Sequence, residues 1–274
     1  MAKKKFNPLP GFGLTVGYTL FYLSALVLIP IGVLFLKAFE ISFDDFWRII
    51  TGHRAIAAFR LTFVASFAAA LANAVFGTLL AWVLVRYRFF GKRFIDALVD
   101  FPFALPTAVA GLTLSSLFAA NGWLGQYLVP LGIKAVYTPL AVIIALTFVG
   151  LPFVVRTLQP VLENLEPEIE EAAATLGASR LRTFAQIVAP TLFPTILTGF
   201  ALAFARAVGE YGSITFVSGN LPGRTEVVPS LIVYQLEEHH FTEATAIAAV
   251  LLVLSFVILA TINWLEVRAR RYAN

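Results

Sequence analysis

The apolar residues of this chain gather into six long runs, at about 15–39, 60–85, 95–119, 137–157, 191–217 and 244–266. Each reaches the roughly 18–20 residues that carry an α-helix across a hydrocarbon core about 30 Å thick. Helices are the expected form, because a segment surrounded by lipid must satisfy its own backbone amides. None of the runs shows the short alternation of barrel strands. The pattern predicts an all-α, polytopic membrane protein with six transmembrane helices in a single domain, residues 1–274. Pro102 and Pro106 in the third run, and Pro152 in the fourth, predict kinked or broken helices. Such breaks serve either packing or an irregular backbone that lines a passage.

Between the fourth and fifth runs lies a polar stretch, EEAAATLGASRLRTFAQIVAP, residues 170–190. From Leu165 the apolar positions Ile169, Ala172, Ala173 and Leu176 follow at i+4, i+7, i+8 and i+11, one face of a helix. Pro167 suits the first turn, and Glu168, Glu170 and Glu171 suit the positive end of the helix dipole. Gly177 then supplies a left-handed terminus. A second short helix starts at Ser179, a good N-cap, carries Leu181, Phe184, Ile187 and Val188, and is expected to end before Pro190. The segment reads as two short amphipathic helices joined at a glycine. Their apolar faces need a cover. Lipid headgroups would repel the glutamates, leaving a protein partner or the chain's own spans.

Composition agrees with a membrane protein and narrows its chemistry. Hydrophobic residues make up 59% and charged residues 13%, against about a quarter charged in soluble domains; mean hydropathy is +0.84. There are no cysteines, so disulfides and thiolate metal sites are excluded. His53, His239 and His240 are too scattered to suggest a metal site. The first run is too long for a signal-peptide core and reads as a retained span. Thirteen Lys and Arg (Lys3, Lys4, Lys5, Arg86, Arg88, Lys92, Arg93, Arg156, Arg180, Arg182, Arg268, Arg270, Arg271) fall on one side. Six (Lys37, Arg48, Arg54, Arg60, Lys134, Arg224) fall on the other, diluted by acids. The positive-inside rule then places both termini and residues 158–190 in the cytoplasm. The net charge of +4 serves this topology, and no nucleic-acid partner is expected.

The spacing Glu171-Ala172-Ala173, Gly177, Ile187 and Pro190 resembles the EAA loop of bacterial ABC-importer permeases. The family pattern closes Ile-x-Leu-Pro, whereas this chain has Ile187-Val188-Ala189-Pro190, which departs at Ala189 and weakens one hydrophobic contact. The resemblance implies a type I ABC importer permease fold whose coupling-helix pair, 165–190, docks into a groove on a cytoplasmic ATPase. Glu171, Ala172, Ala173 and Gly177 are the residues it carries over, with Leu176 and Arg180 beside them. The chain has no G-x-x-x-x-G-K-[ST] loop. ATP and Mg²⁺ are therefore expected on partner subunits, with no cofactor here and no enzymatic activity in this chain.

Two further stretches, FALPTAVAGLTLSSLFAANGWLG (103–125) and GFALAFARAVGEYGSITFVSGN (199–220), resemble the T-type subunit of sulfate/thiosulfate permeases. This likeness extends along nearly the whole chain from the second run onward. It implies a W-type partner permease, a pair of nucleotide-binding subunits, an extracytoplasmic sulfate-binding protein and a bacterial inner-membrane location. Molybdate or tungstate permeases share the Gly-Glu-aromatic-Gly region and are the alternative. An ion-coupled secondary transporter would need a free midplane carboxylate. Glu210 is the one deep acid, and Arg206 stands four residues before it on the same helical face.

Charge at that depth costs roughly 2.5–3.5 kcal/mol when unpaired. The two residues therefore form either a neutralised packing pair or a source of positive potential for an anion route. Ser213, Thr215 and Ser218 are candidate weak donors along such a route, and Gly209 and Gly212 are expected as packing spacers. The loop 218–243 is read as polar and extracytoplasmic, either a solvated connection or a surface for the binding protein. Its apolar stretch VVPSLIVYQL (227–236) is expected to form a helix against the membrane or the partner permease. His239 and His240 are expected to be exposed.

Overall fold

The computed structural model describes residues 11–165, 171–173 and 175–273, and the described residues contain helices and no strand. In chain order these are α1 (Phe12–Phe39), α2 (Phe43–Thr51), α3 (His53–Arg86), α4 (Lys92–Val99), α5 (Thr107–Phe118) and α6 (Pro139–Glu163). They continue with α7 (Ala189–Val208), α8 (Gly212–Ser218), α9 (Val228–Glu237) and α10 (Phe241–Ala273). Single turns at Phe101–Ala104 and Gly125–Leu128 join them.

The core is the triangle of α3, α6 and α7. On α3 the buried face is mostly small: Ala58, Ala65, Ala69, Ala70, Ala74, Gly77 and Ala81. Such a stripe lets helix backbones approach closely in a setting where lipid is as apolar as any side chain. Val154 of α6 is the knob. A β-carbon at Gly77 of α3 would sit 2.9 Å from Val154 Cγ1, and one at Gly199 of α7 would sit 3.1 Å from Val154 Cα. Around this point Leu84, Val155, Leu158, Leu192, Phe200 and Phe204 close the core. By contrast α1 buries none of its residues and packs at the rim against α10.

Five helices among the described residues are long and apolar enough to cross a bilayer: α1, α3, α6, Phe184–Val208 and Phe241–Ala269. The third apolar run, 95–119, is instead divided into α4, the Phe101–Ala104 turn and α5. Proline accounts for this break. Leu105, before Pro106, is extended at ψ 135°, as a residue preceding proline prefers. The fifth run, expected as one helix over 191–217, also departs from expectation: it stops at Val208 and restarts at Gly212. At the same time α6 continues through Pro152 and Pro160.

The loop after α8 is more ordered than a solvated connection. Glu226 takes a two-pronged grip from Arg54, with Nε and Nη2 each 2.7 Å from a carboxylate oxygen. The Tyr234 ring lies 4.0 Å from the Arg54 guanidinium carbon. The Val228 N–H donates to Thr62 Oγ1 at 2.8 Å. The 227–236 stretch does form a helix, α9, but Val228, Ser230 and Leu231 bury it against α3 and α10 of its own bundle, where a membrane or partner contact was expected. His239 and His240 are exposed.

Candidate functional site

The segment between α6 and α7 is built by two local hydrogen-bond devices. Residues 171–173 and 175 are helical. The helix closes with the Leu176 N–H donating to Ala172 O at 3.2 Å and the Ala178 N–H donating to Ala173 O at 3.0 Å. Gly177 sits between them at φ +80°. This six-to-one bond around a left-handed residue is the Schellman terminus that glycine favours. Ser179 then caps the next turn, its Oγ accepting from the Arg182 N–H at 3.4 Å. Pro167, Glu168, Ile169 and Glu170 lie outside the described residues, and so does the side chain of Arg180.

The two halves of the segment have different surroundings. Glu171 and Ala172 are exposed, Leu176 is 88% exposed, and nothing stands within 4 Å of Gly177's vacant β-position. Ala173 turns inward, at 7%. The second half is fixed to the bundle. Phe184 meets Trp82 edge-to-face with ring centroids 5.5 Å apart, and Val188 is buried beside Leu162 and Leu192. Contrary to expectation, this second helix does not end before Pro190. It passes through a π turn, Phe184–Val188, directly into α7. The widened turn displaces the carbonyl that a proline ring would otherwise strike four residues back.

A second device at this end of the bundle was not legible as a motif. Arg156 of α6 gathers Asp96 and Asp100 from the α4 region: Nε to Asp100 Oδ1 at 2.7 Å, Nη1 to Asp96 Oδ1 at 2.7 Å, and Nη2 to the Asp96 carbonyl at 2.8 Å. The Arg156 guanidinium, followed by Gln159, holds the Asp96 carboxyl below its usual range. This clamp fastens α4 to the stretch of α6 that leads into residue 165. Asp96 and Asp100, four apart and at the same end of the chain's topology as Arg156, were the available signal.

The mid-bundle site forms where two interrupted helices meet. α8 packs on α5 so closely that a β-carbon at Gly111 would fall 2.9 Å from Ser213 Cα and closer still to its carbonyl oxygen. One at Gly212 would collide with Thr107. Gly212 is thus a spacer as expected, whereas Gly209 has open space around it and marks the end of α7. Glu210 lies in the gap between α7 and α8. Its Oε1 accepts from both the N–H and the hydroxyl of Ser213 at 2.9 Å, and its Oε2 pairs with Arg206 Nη1 at 2.5 Å. One carboxylate therefore caps the new helix and neutralises the arginine. Its side chain is 2% exposed, while that of Arg206 is 33% exposed.

The structure brings Arg206, Glu210 and Ser213 together and separates the other two route candidates from them. Ser218 is buried at the far end of α8, its hydroxyl accepting from the Asn220 N–H at 3.2 Å. Thr215 points elsewhere on α8 and donates to the Tyr211 carbonyl at 2.9 Å. Of the five, Arg206 and Thr215 keep partial exposure. Among the described residues there is no metal-binding cluster of His and acidic side chains.

Residues 73–271 match the family model described as the binding-protein-dependent transport system inner membrane component. The chain is 47% identical over 263 residues to the sulfate transport system permease protein CysT of Salmonella typhimurium, covering 96% of this chain and 95% of that one. It is 48% identical over 256 residues to the CysT of Synechocystis, covering 93% and 90%. Among solved structures, it is similar in fold to a chain of a bacterial ABC transporter that imports the acidic polysaccharide alginate. That likeness has a TM-score of 0.71 and 18% identity, covering 94% of this chain and 96% of that one. An inward-facing MetNI methionine ABC transporter chain has a TM-score of 0.54 and 16% identity, covering 85% and 100%.

Proposed function

The chain belongs to the family of binding-protein-dependent transport system inner membrane components, among its sulfate permeases, and from that premise we propose how it works. It is a membrane permease subunit of an ABC importer for sulfate. Thiosulfate is a second cargo of the same charge. The chain itself performs no catalysis. Two ATPase subunits bind ATP and Mg²⁺ in the cytoplasm, a W-type permease supplies the other half of the passage, and an extracytoplasmic sulfate-binding protein delivers the anion. Both termini lie in the cytoplasm.

The observation that carries the coupling role is the divided character of residues 171–188. Glu171, Ala172 and Leu176 form an exposed ledge, while Val188 is buried in the core and Phe184, itself 38% exposed, rests edge-on against Trp82. A helix laid in a partner's groove uses such a ledge, with an apolar anchor and small neighbours that permit close approach. Glu171 offers a charge to a basic groove residue, and Arg180 follows the hinge. Closure of the ATPase pair on ATP draws the two permeases' ledges together and opens the passage outward; hydrolysis returns it inward. Within the membrane Arg206 and Glu210 act as a neutral pair, with Thr215 on the wall of the route and Ser213 and Ser218 supporting it from behind.

Deleting this chain is expected to abolish ³⁵S-sulfate uptake by cells that have no other sulfate importer. Undiminished sulfate uptake with lost molybdate uptake would assign the cargo to molybdate instead. For coupling, Gly177→Pro forces φ near −65° where the chain needs +80°. Transport-coupled ATP hydrolysis should fall about tenfold, the equivalent of about 1.4 kcal/mol. Gly177→Asn, which tolerates the left-handed region, should stay within about twofold of the parent. Normal coupling in the proline variant would remove the hinge from the mechanism.

A further inference from the structure

The cations at the outer end of the bundle divide into two groups. Lys37 pairs with Glu40, Arg48 with Asp45 and Arg54 with Glu226. The side chains of Arg60 and Arg224, like that of Lys134, have neither an ion pair nor a hydrogen bond among the described residues. Both arginines line one groove of about 520 Å³, together with His53 and the start of α6 at Pro139. Its wall is apolar, from Ile56 and Val64 of α3. Unpaired charges against a low-dielectric wall focus their field into the space before them.

The surroundings keep this charge uncompensated. Glu226, two residues beyond Arg224, is 2% exposed with both oxygens held by Arg54. The loop that presents Arg224 is fixed in place. Thr225 Oγ1 donates to the Ser218 carbonyl at 2.8 Å and accepts from the Leu221 N–H at 3.0 Å. Gly223 turns at φ +69° with its vacant β-position 3.6 Å from His53 Cε1. Two elements far apart in sequence thus hold two arginines over one groove. The loop is continuous with Ser218 at the outer end of α8, and Leu61, which also lines the groove, packs against the cluster containing Ile214 of α8.

We infer that this groove is a collecting site for a doubly charged tetrahedral oxyanion at the outer mouth of the passage, with Arg60 and Arg224 as its donors. The inference rests on the sulfate-importer reading for the identity of the free anion. The groove is several times larger than such an anion, so the ligand keeps part of its hydration and is held loosely enough to move on. A phosphate-bearing lipid headgroup presents the same chemistry and is the other source.

The test uses the whole importer with its binding protein, reconstituted in vesicles of phosphatidylcholine alone and of phosphatidylcholine with phosphatidylglycerol. Arg60→Gln with Arg224→Gln should lower initial ³⁵S-sulfate uptake about tenfold at low ionic strength in both vesicles, and flatten its salt dependence. Arg60→Lys with Arg224→Lys should retain at least half. Co-purification with the ATPase subunits checks that each variant is assembled. Unchanged uptake in the glutamine variant overturns the proposal. A defect confined to the phosphatidylglycerol vesicles overturns it in favour of a headgroup. Should the parent importer carry molybdate and not sulfate, the cargo reading fails by itself, and the same comparison made with molybdate still decides the groove.

Discussion

Gly111→Ala is expected to prevent accumulation of assembled protein, although alanine is the better helix former. Glycine inside a helix costs about 1 kcal/mol relative to alanine, so propensity alone predicts a gain at this position in α5. Packing predicts the reverse. The new methyl would meet the Ser213 carbonyl and lie 2.9 Å from Ser213 Cα. Those are backbone atoms, with no flexible end to swing away. Inserting a methyl into such a contact costs about 1–3 kcal/mol by forcing backbone shifts, and here the shift would pull α8 from α5. Gly111→Val should be worse. Gly209→Ala is the control, because nothing lies within 4 Å of its β-position; it should purify and transport as the parent does. The readout is the yield and thermal midpoint of the detergent-solubilised importer. A Gly111→Ala variant with a raised midpoint would show that the two interrupted helices are not wedged together.

The second large effect concerns Glu210→Gln. The amide can keep the two bonds from Ser213 or accept from Arg206, but it cannot do both, since one of its ends is a donor facing a donor. Breaking a buried ion pair by removing one charge costs about 3–5 kcal/mol. The lower end applies here, because the Arg206 side chain keeps 33% exposure. Sulfate uptake should fall below detection through loss of assembled importer. Arg206→Gln combined with Glu210→Gln removes the stranded charge and should recover assembly relative to Glu210→Gln, because no unpaired charge is then left buried. If the pair only holds α7 and α8 together, uptake recovers with assembly. Assembled double variant without uptake would mean that Arg206 meets the anion itself.

What could be read in the sequence was what short-range hydrogen bonds and prolines determine. Gly177 and Ser179 form the terminus and cap their residue types suggest, because both devices close within six residues. The break before Pro106 follows from one ring. The Arg206–Glu210 pair was visible as an i, i+4 spacing and holds in the structure. The interruption at 209–211 was not visible, since the run stays apolar and its charged pair reads as continuous helix. Only when α5 packs on α8 does it gain a partner for the second half, and only then does Glu210 serve as the cap of a new start. The Arg156 clamp and the Arg54–Glu226 fork join residues 56–60 and 172 positions apart. No local pattern announces such pairs.

The π turn at Phe184–Val188 has a further consequence. A second one at Ser24–Leu28 stands at the same offset before Pro30, so in both places the extra residue accompanies a proline. In an α-helix each residue advances the chain by about 1.5 Å and about 100° of rotation. A π turn closes i→i+5 and so spends about one residue more on each revolution. Deleting one residue from 184–188 would restore an α turn and leave the bearing of Glu171 and Leu176 about the axis of α7 nearly unchanged. What the surplus residue supplies is room for the Pro190 ring, and a variant lacking it would keep its compass bearing but kink at that proline.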